Sequence, residues 1–331
     1  MIRKAVLIAA LLLVAGSACA QRTLVNPYPA TGALDITGSN TASRALRAMQ
    51  NYATPSAVDA VARQLQQALA RGLIETVELE RNPRGGGGVA ADELAASPAT
   101  ANTLLLAGSG LGSGHVLQTL RGLQPVAGVA RAPLVLVSNG EGGAVSVADA
   151  LQQARRHGMP TPLGTPGERS VGHVLAGLLR LQWPHGLAPV AYNGGNGALR
   201  GLLSGQVTLS LLPLPAVMPF ATGDRFRVLA IASAVRHPLL PAIPTLRESG
   251  LALTATGGWY GLFAAPRAPA AQLQRLQAAL ESAWREAETQ KHLLVLGFVS
   301  DFENAAALRR LVAAPPEAAL SADLPPAASL R

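Results

Sequence analysis

Apolar positions in this chain fall into two patterns. Short, largely apolar runs at 23–25, 76–79, 103–107, 133–137, 189–192, 207–212 and 226–232 predict strands. The run Thr103-Leu104-Leu105-Leu106-Ala107 is apolar almost throughout, as expected in the middle of a parallel sheet covered on both faces. Longer stretches carry helical spacing. Val58, Val61, Leu65 and Leu69 share one face of a helix predicted over 56–71. Leu273, Leu276, Leu280, Ala283, Trp284 and Ala287 do the same over 270–289, read as one helix. Further helices are expected near 41–49 and over 89–96, 146–157 and 171–181. The alternation of strand and helix predicts an α/β fold. The 226–232 strand is expected to recross between two domains.

Where strands give way to helices, the linkers are rich in glycine and hydroxyl side chains. After the 189–192 run, read as a short buried strand, Asn193-Gly194-Gly195-Asn196-Gly197 is read as a backbone loop, with a helix opening from Ala198. Glycines allow a ligand to approach the backbone closely, and the first N–H groups of the helix are free to meet a negative charge. Gly164-Thr165-Pro166-Gly167-Glu168-Arg169-Ser170 repeats the arrangement ahead of the 171–181 helix, with His173 in its first turn. The 103–107 strand exits through Gly108-Ser109-Gly110 onto the same kind of edge, where open α/β sheets bind ligands. By contrast, Gly85–Gly88 is followed by no Gly-Lys-Ser/Thr and reads as a flexible turn, not a P-loop.

The N-terminus changes the picture of where the protein works. Arg3 and Lys4 precede the apolar run 5–14, and Ala18-Cys19-Ala20 supplies an A-x-A cleavage site, so residues 1–20 read as a secretory signal peptide. Cys19 is the sole cysteine, which excludes an intramolecular disulfide. Gly16 makes a poor lipobox, so cleavage near Ala20 is expected in preference to lipidation at Cys19. The whole chain carries 27 basic and 19 acidic residues; removing Arg3 and Lys4 leaves a net charge of +6. The arginines are dispersed and aromatics make up only 4% of the chain, which provides neither the basic stripe nor the stacking platform of a nucleic-acid binder. Dispersed arginine can still steer small anions.

Catalytic signatures are absent. No serine sits in G-x-S-x-G, no histidine belongs to H-E-x-x-H, and no G-x-G-x-x-G follows a strand. An enzyme alternative would pair Ser170 with His173, three residues apart at a helix start, as a hydrolase.

Three further segments carry a family resemblance. Tyr192-Asn193-Gly194-Gly195 with Leu203-x-Gly205-Gln206-Val207, then Arg236 with Pro241-x-x-Pro244-Thr245-x-x-Glu248-x-Gly250, then Gly258-Trp259-Tyr260-Gly261-Leu262-Phe263-Ala264-x-Pro266, occur in order. With Asn82-Pro83 and the Gly run, the chain over roughly 22–300 resembles the periplasmic solute-binding proteins of tripartite tricarboxylate transporters, the Bug receptors. That resemblance implies a type II periplasmic binding protein fold: two doubly wound α/β lobes joined by a two-strand hinge. The expected division is a signal peptide at 1–20, lobe 1 from 21–128 and again from 233–312, lobe 2 from 129–232, and a disordered Pro/Ala-rich tail at 313–331. The tail is expected to stand in place of the family's last amphipathic helix.

The resemblance also implies a function. The protein is expected to be a non-enzymatic periplasmic receptor for a small organic acid, working as a monomer without cofactor or metal. It would hand its ligand to membrane transporter subunits or, alternatively, present its closed form to a sensor protein. Pro27-x-x-x-Thr31-Gly32-x-x-Asp35 lies on the family's first ligand loop. The expected ligand contacts are Tyr28, Ala30, Thr31, Gly32, Asp35, Ser109, Thr165, Gly167, Ser170, His173, Tyr192, Asn193, Gly194 and Gly195. Asp35 is read as a helix cap or as a partner for an amino group, and Tyr192 as either a cleft donor or a packing residue. Thr31, Asn193, Arg200 and Thr208 depart from the family pattern, in which glycine, lysine and two aspartates are usual.

Overall fold

The computed structural model describes residues 22–26, 57–73, 77–81, 88–98, 103–109, 114–140, 142–168, 170–192, 194–220, 225–255, 257–314 and 320–322. The leader, the expected helix at 41–49, and the site candidates Tyr28, Ala30, Thr31, Gly32, Asp35 and Asn193 lie outside the described residues.

The first sheet is entered by β1 (Arg22–Asn26), α1 (Ala57–Leu73), β2 (Val77–Arg81), α2 (Gly88–Ala95), β3 (Thr103–Gly108), α3 (Gly114–Gly122) and β4 (Gln124–Ala132). The chain then builds a second sheet from β5 (Leu134–Asn139), α4 (Val147–His157), β6 (Thr161–Thr165), α5 (Val171–Leu179), β7 (Leu187–Ala191), α6 (Gly194–Leu203), β8 (Leu209–Pro213), α7 (Leu214–Val217) and β9 (Phe226–Ala232). After β10 (Leu253–Ala255) it returns through β11 (Gly258–Ala264), α8 (Ala270–Trp284), α9 (Ala287–Val295), β12 (Glu303–Asn304) and α10 (Ala305–Ala313). Finally β13 (Leu320–Ala322) pairs antiparallel with β10.

Strand order in the first sheet is β2-β1-β3-β11-β4-β12, and in the second β7-β6-β8-β5-β9. Both are mixed. β3 pairs parallel with β1 but antiparallel with β11, so the apolar 103–107 run is central without being wholly in a parallel environment. Each sheet is covered on both faces. In the first, α1, α8 and α9 pack on one side, while α2, α3 and α10 pack on the other. In the second, α4 and α5 face α6 and α7 across the sheet.

Several expectations shift for physical reasons. β4 runs unbroken to Ala132 in the first sheet, so the chain changes sheets at Pro133 rather than at 128/129. Residues beyond β9 stay with the second sheet: Leu246, Leu251, Leu253 and Ala255 join its core, and Leu246 N–H donates to Ile231 O at 2.9 Å. The return therefore falls at Gly257, not at 232/233, and β9 pairs with β5 within one sheet rather than recrossing. Gly257 has φ +77, and a Cβ there would meet Ala132 O at 2.3 Å, so the two crossing segments touch backbone to backbone. The helix expected over 270–289 breaks after Trp284. That indole is buried with Nε1–H donating to Val129 O, and the chain must turn to seat Thr289 beneath Gln64 Nε2 at 2.9 Å. The last amphipathic helix is present as α10, capped by Asn304 and anchored by buried Leu308 and Val312. The β13 pairing corrects the disordered reading of the tail at 320–322.

One family-like segment has a structural explanation. Arg236 holds both Glu248 carboxylate oxygens at 3.0 and 2.9 Å and donates to Pro241 O at 2.8 Å. Glu248 accepts from Thr245 N–H at 2.7 Å while Thr245 Oγ1 accepts from Glu248 N–H at 3.1 Å, a reciprocal capping box. The Arg236 guanidinium, with Thr245, holds the Glu248 carboxyl below the usual carboxylate range. The R…P-x-x-P-T-x-x-E pattern thus pins the segment after β9.

Candidate functional site

Topology decides where a ligand can sit. β1, β2 and β3 run parallel, and β11 starts beside the end of β3, with Tyr260 opposite Gly108. β6, β7 and β8 also run parallel, and β5 starts beside the end of β8, with Leu134 opposite Pro213. The carboxyl ends of both parallel sets therefore lie at the edges where Pro133 and Gly257 join the sheets. Open α/β sheets bind ligands outside those ends. A third junction sits nearby: Gly297 (φ +86) abuts Leu214–Met218, where a Cβ would come within 2.5 Å of Met218 Cγ.

The loops after β6 and β7 are locked together on this edge. Tyr192 N–H donates to Thr165 O at 2.9 Å, and Gly194 N–H donates to Pro166 O at 2.9 Å. Gly194, at φ +78, opens α6 directly, so the expected loop over 193–197 is in large part the helix's first turn. Gly194 has already spent its N–H. Those of Gly195 and Asn196 stand in the first turn, where a helix offers no internal acceptor. Gly195 also lets the turn approach Pro213 and Ala216, whose atoms would lie 3.4 and 3.5 Å from a Cβ. β7 itself is a half-exposed edge strand, not the buried one expected.

The neighbouring helix start is built differently. Ser170 is the N-cap of α5: its hydroxyl accepts from His173 N–H at 3.1 Å and donates to Gly167 O at 2.8 Å. Ser170 is 8% exposed, with its hydroxyl committed to backbone on both sides. Its contact with His173 is to the peptide and not the ring, which removes the hydrolase pairing. The His173 ring instead meets Thr165, with Nδ1 2.9 Å from Oγ1. Thr165, expected from sequence as a ligand contact, is 0% exposed and closed to solvent.

Tyr192 packs. Its ring lies over α6, where a Cβ at Gly201 would be 2.3 Å from Cζ and Oη, and its hydroxyl donates to Gln206 Oε1 at 3.2 Å. This links the tyrosine and the later Gly-Gln of the family-like stretch as one packing unit. Ser109, at the end of β3, is half-buried, and its Oγ accepts from Trp259 N–H at 3.1 Å while its own N–H donates to Trp259 O at 3.0 Å. Among the described residues, the Ser109 hydroxyl proton has no acceptor. Trp259 is itself buried against Phe263. Next along β11, burial pushes the Tyr260 hydroxyl up to about 12, so it remains neutral.

The structure thus brings Ser109, Gly167, His173, Gly194 and Gly195 to the joined edge as backbone or side-chain candidates. It buries the side chains of Thr165 and Ser170, while Tyr192 stays half-exposed with its ring against α6. Sequence reading missed β4, which builds the crossing, because Pro125 and Gly128 punctuate it; its small residues at alternate positions were the available signal. It also missed Gly257 and Gly297, whose roles depend on contacts distant in sequence. Among the described residues, no group of three or more His, Cys, Asp or Glu is placed to hold a metal, and no helix is long and apolar enough to cross a membrane. A pocket of roughly 200 Å³ lined by Asn139, Gln153, His157, Thr161 and Thr208 opens at the opposite edge of the second sheet, away from the joined edges.

Known proteins share this architecture. The structure of R. palustris Rpa4515 with adipate superposes with a TM-score of 0.72 at 23% identity, covering 90% of this chain and 94% of the other. MatC from Rhodopseudomonas palustris with bound malate gives 0.67 at 22% identity, over 88% and 95%. Protein BugT of Bordetella pertussis is 28% identical over 230 residues, which is 67% of this chain and 71% of BugT. The fold is that of a two-lobed α/β periplasmic binding protein. The sequence profile described as tripartite tricarboxylate transporter family receptor matches residues 61–317, and the chain belongs to that family.

Proposed function

We propose that this protein is a monomeric periplasmic receptor, released by removal of its leader, that closes two lobes on a small organic carboxylate and delivers it to a membrane transporter. One observation carries the reading: the glycine-rich α6 start, the α5 start with His173, and Ser109 all lie on the edge where the two sheets are joined. Helix N-termini and neutral donors can hold a carboxylate without a formal countercharge. The relatives seen with adipate and malate support the ligand class. β1 ends at Asn26 on the same edge of the first sheet, and Thr31, Gly32 and Asp35, which follow it in sequence, are proposed to supply contacts from the opposite side. Lobe closure about Pro133 and Gly257 would be the signal that a transporter reads.

Thermal unfolding of residues 21–331 against mono-, di- and tricarboxylates, amino acids and aromatic acids tests the proposal. A ligand of the folded state adds about 2.7 kcal/mol of stability at a hundredfold excess over its dissociation constant. A shift confined to one class of acid supports the receptor and identifies its chemistry. A flat response from protein refolded to remove carried-over ligand would refute carboxylate recognition.

A further inference from the structure

Thr165 was expected to touch the ligand, yet it is wholly buried at the end of β6. Its Oγ1 lies 2.9 Å from His173 Nδ1 and 3.5 Å from Val190 O. A hydroxyl has one proton to give. Donation to Val190 O is at the limit of hydrogen-bond range, so giving the proton to Nδ1 is the arrangement that leaves this buried hydroxyl with a full-strength bond. A neutral imidazole that accepts at Nδ1 must carry its own proton at Nε2. Nε2 has no hydrogen-bond partner among the described residues, and His173 is half-buried.

We infer that Thr165 is a positioning residue that fixes the tautomer of His173, so that the ring presents an Nε2–H donor to a ligand carboxylate at the joined edges of the sheets. This deepens the proposed carboxylate reading and rests on it. The opposite tautomer would turn a lone pair toward the cleft and repel the same ligand. Strands β6, β7 and β8, against which α5 packs, carry no titratable side chain, and Glu168 in the preceding loop is exposed. The ring's orientation is further held by its backbone, since His173 N–H is taken by the Ser170 cap. The arrangement resembles the outer hydrogen bond that orients a metal-bound histidine, applied here to an organic ligand.

The test compares wild type, Thr165→Val and Thr165→Ser, using malate and adipate as probe acids. Calorimetric affinity should fall roughly tenfold in Thr165→Val, about the worth of one hydrogen bond, and stay within about threefold in Thr165→Ser. Nitrogen-15 NMR of histidine-labelled protein reads the tautomer directly, with His173 assigned through the signal lost in His173→Gln. The expected result is an Nε2–H ring in wild type and Thr165→Ser, and a mixture in Thr165→Val. An Nδ1–H ring in ligand-free wild type overturns the inference, even if Thr165→Val fails to fold. Equal affinities for the two variants overturn it as well, while leaving the receptor reading intact. A wild type that binds neither acid nor any other carboxylate overturns that reading, and the role of His173 with it.

Discussion

Two helices start side by side on one edge of the second sheet, and they are finished in opposite ways. α5 is closed by a side chain: Ser170 takes the His173 N–H, and its own proton returns to Gly167 O. α6 begins on Gly194 with glycine, glycine and asparagine, and the Gly194 N–H is spent on the Pro166 carbonyl of the neighbouring loop. The first start is a fixed platform that aims an imidazole. The second leaves backbone donors at its opening turn. A capped terminus satisfies its own dipole, whereas an uncapped one awaits a partner. Under the proposed function, α5 serves as scaffold and α6 as the site of backbone anion capture.

The sharpest way to break this contrast is to unseat α6. Gly201→Leu places carbon where the Tyr192 ring lies, and overpacking there should cost about 2–3 kcal/mol, read by urea denaturation. Gly194→Ala forces a side chain into φ +78 and should cost about 1–2 kcal/mol, with ligand affinity falling because the first turn moves. Ser170→Ala removes the α5 cap and should cost about 1 kcal/mol of stability. Its affinity should change less than that of Gly194→Ala, and the reverse order would undo the division of labour between the two starts. Tyr192→Phe is the mildest: losing the half-exposed bond to Gln206 should change stability by less than about 0.5 kcal/mol. A large loss of affinity in that variant would return the Tyr192 hydroxyl to the ligand.

Much of the architecture was legible because burial leaves local traces. The α1 face of Val58, Val61, Leu65 and Leu69 follows helical spacing, and each is buried as that spacing requires. β3 and β5 are apolar runs because both faces of their sheets are covered. The sheet crossings were misplaced because nothing in the local pattern distinguishes Pro133 from the end of an ordinary strand. The division of α8 from α9 was hidden for a similar reason. Helical periodicity continues through Arg285, and the turn there is imposed by Trp284 and Thr289 meeting partners far away in sequence.

The candidate site divides along the same line. Sequence by itself determined that glycine and hydroxyl residues would cluster at strand ends and helix starts, since glycine spacing, capping preference and apolar runs are properties of a few adjacent residues. Which of those residues stay open to solvent is set by packing between distant segments. Thr165, Ser170 and Tyr192 carry suitable chemistry, but their hydroxyls are turned to His173, Gly167 and Gln206 by contacts that form when the loops after β6 and β7 dock. Side-chain direction depends on that docking, and on a Gly201 with no Cβ to displace the tyrosine. Chemistry is written residue by residue, whereas access depends on how distant segments pack.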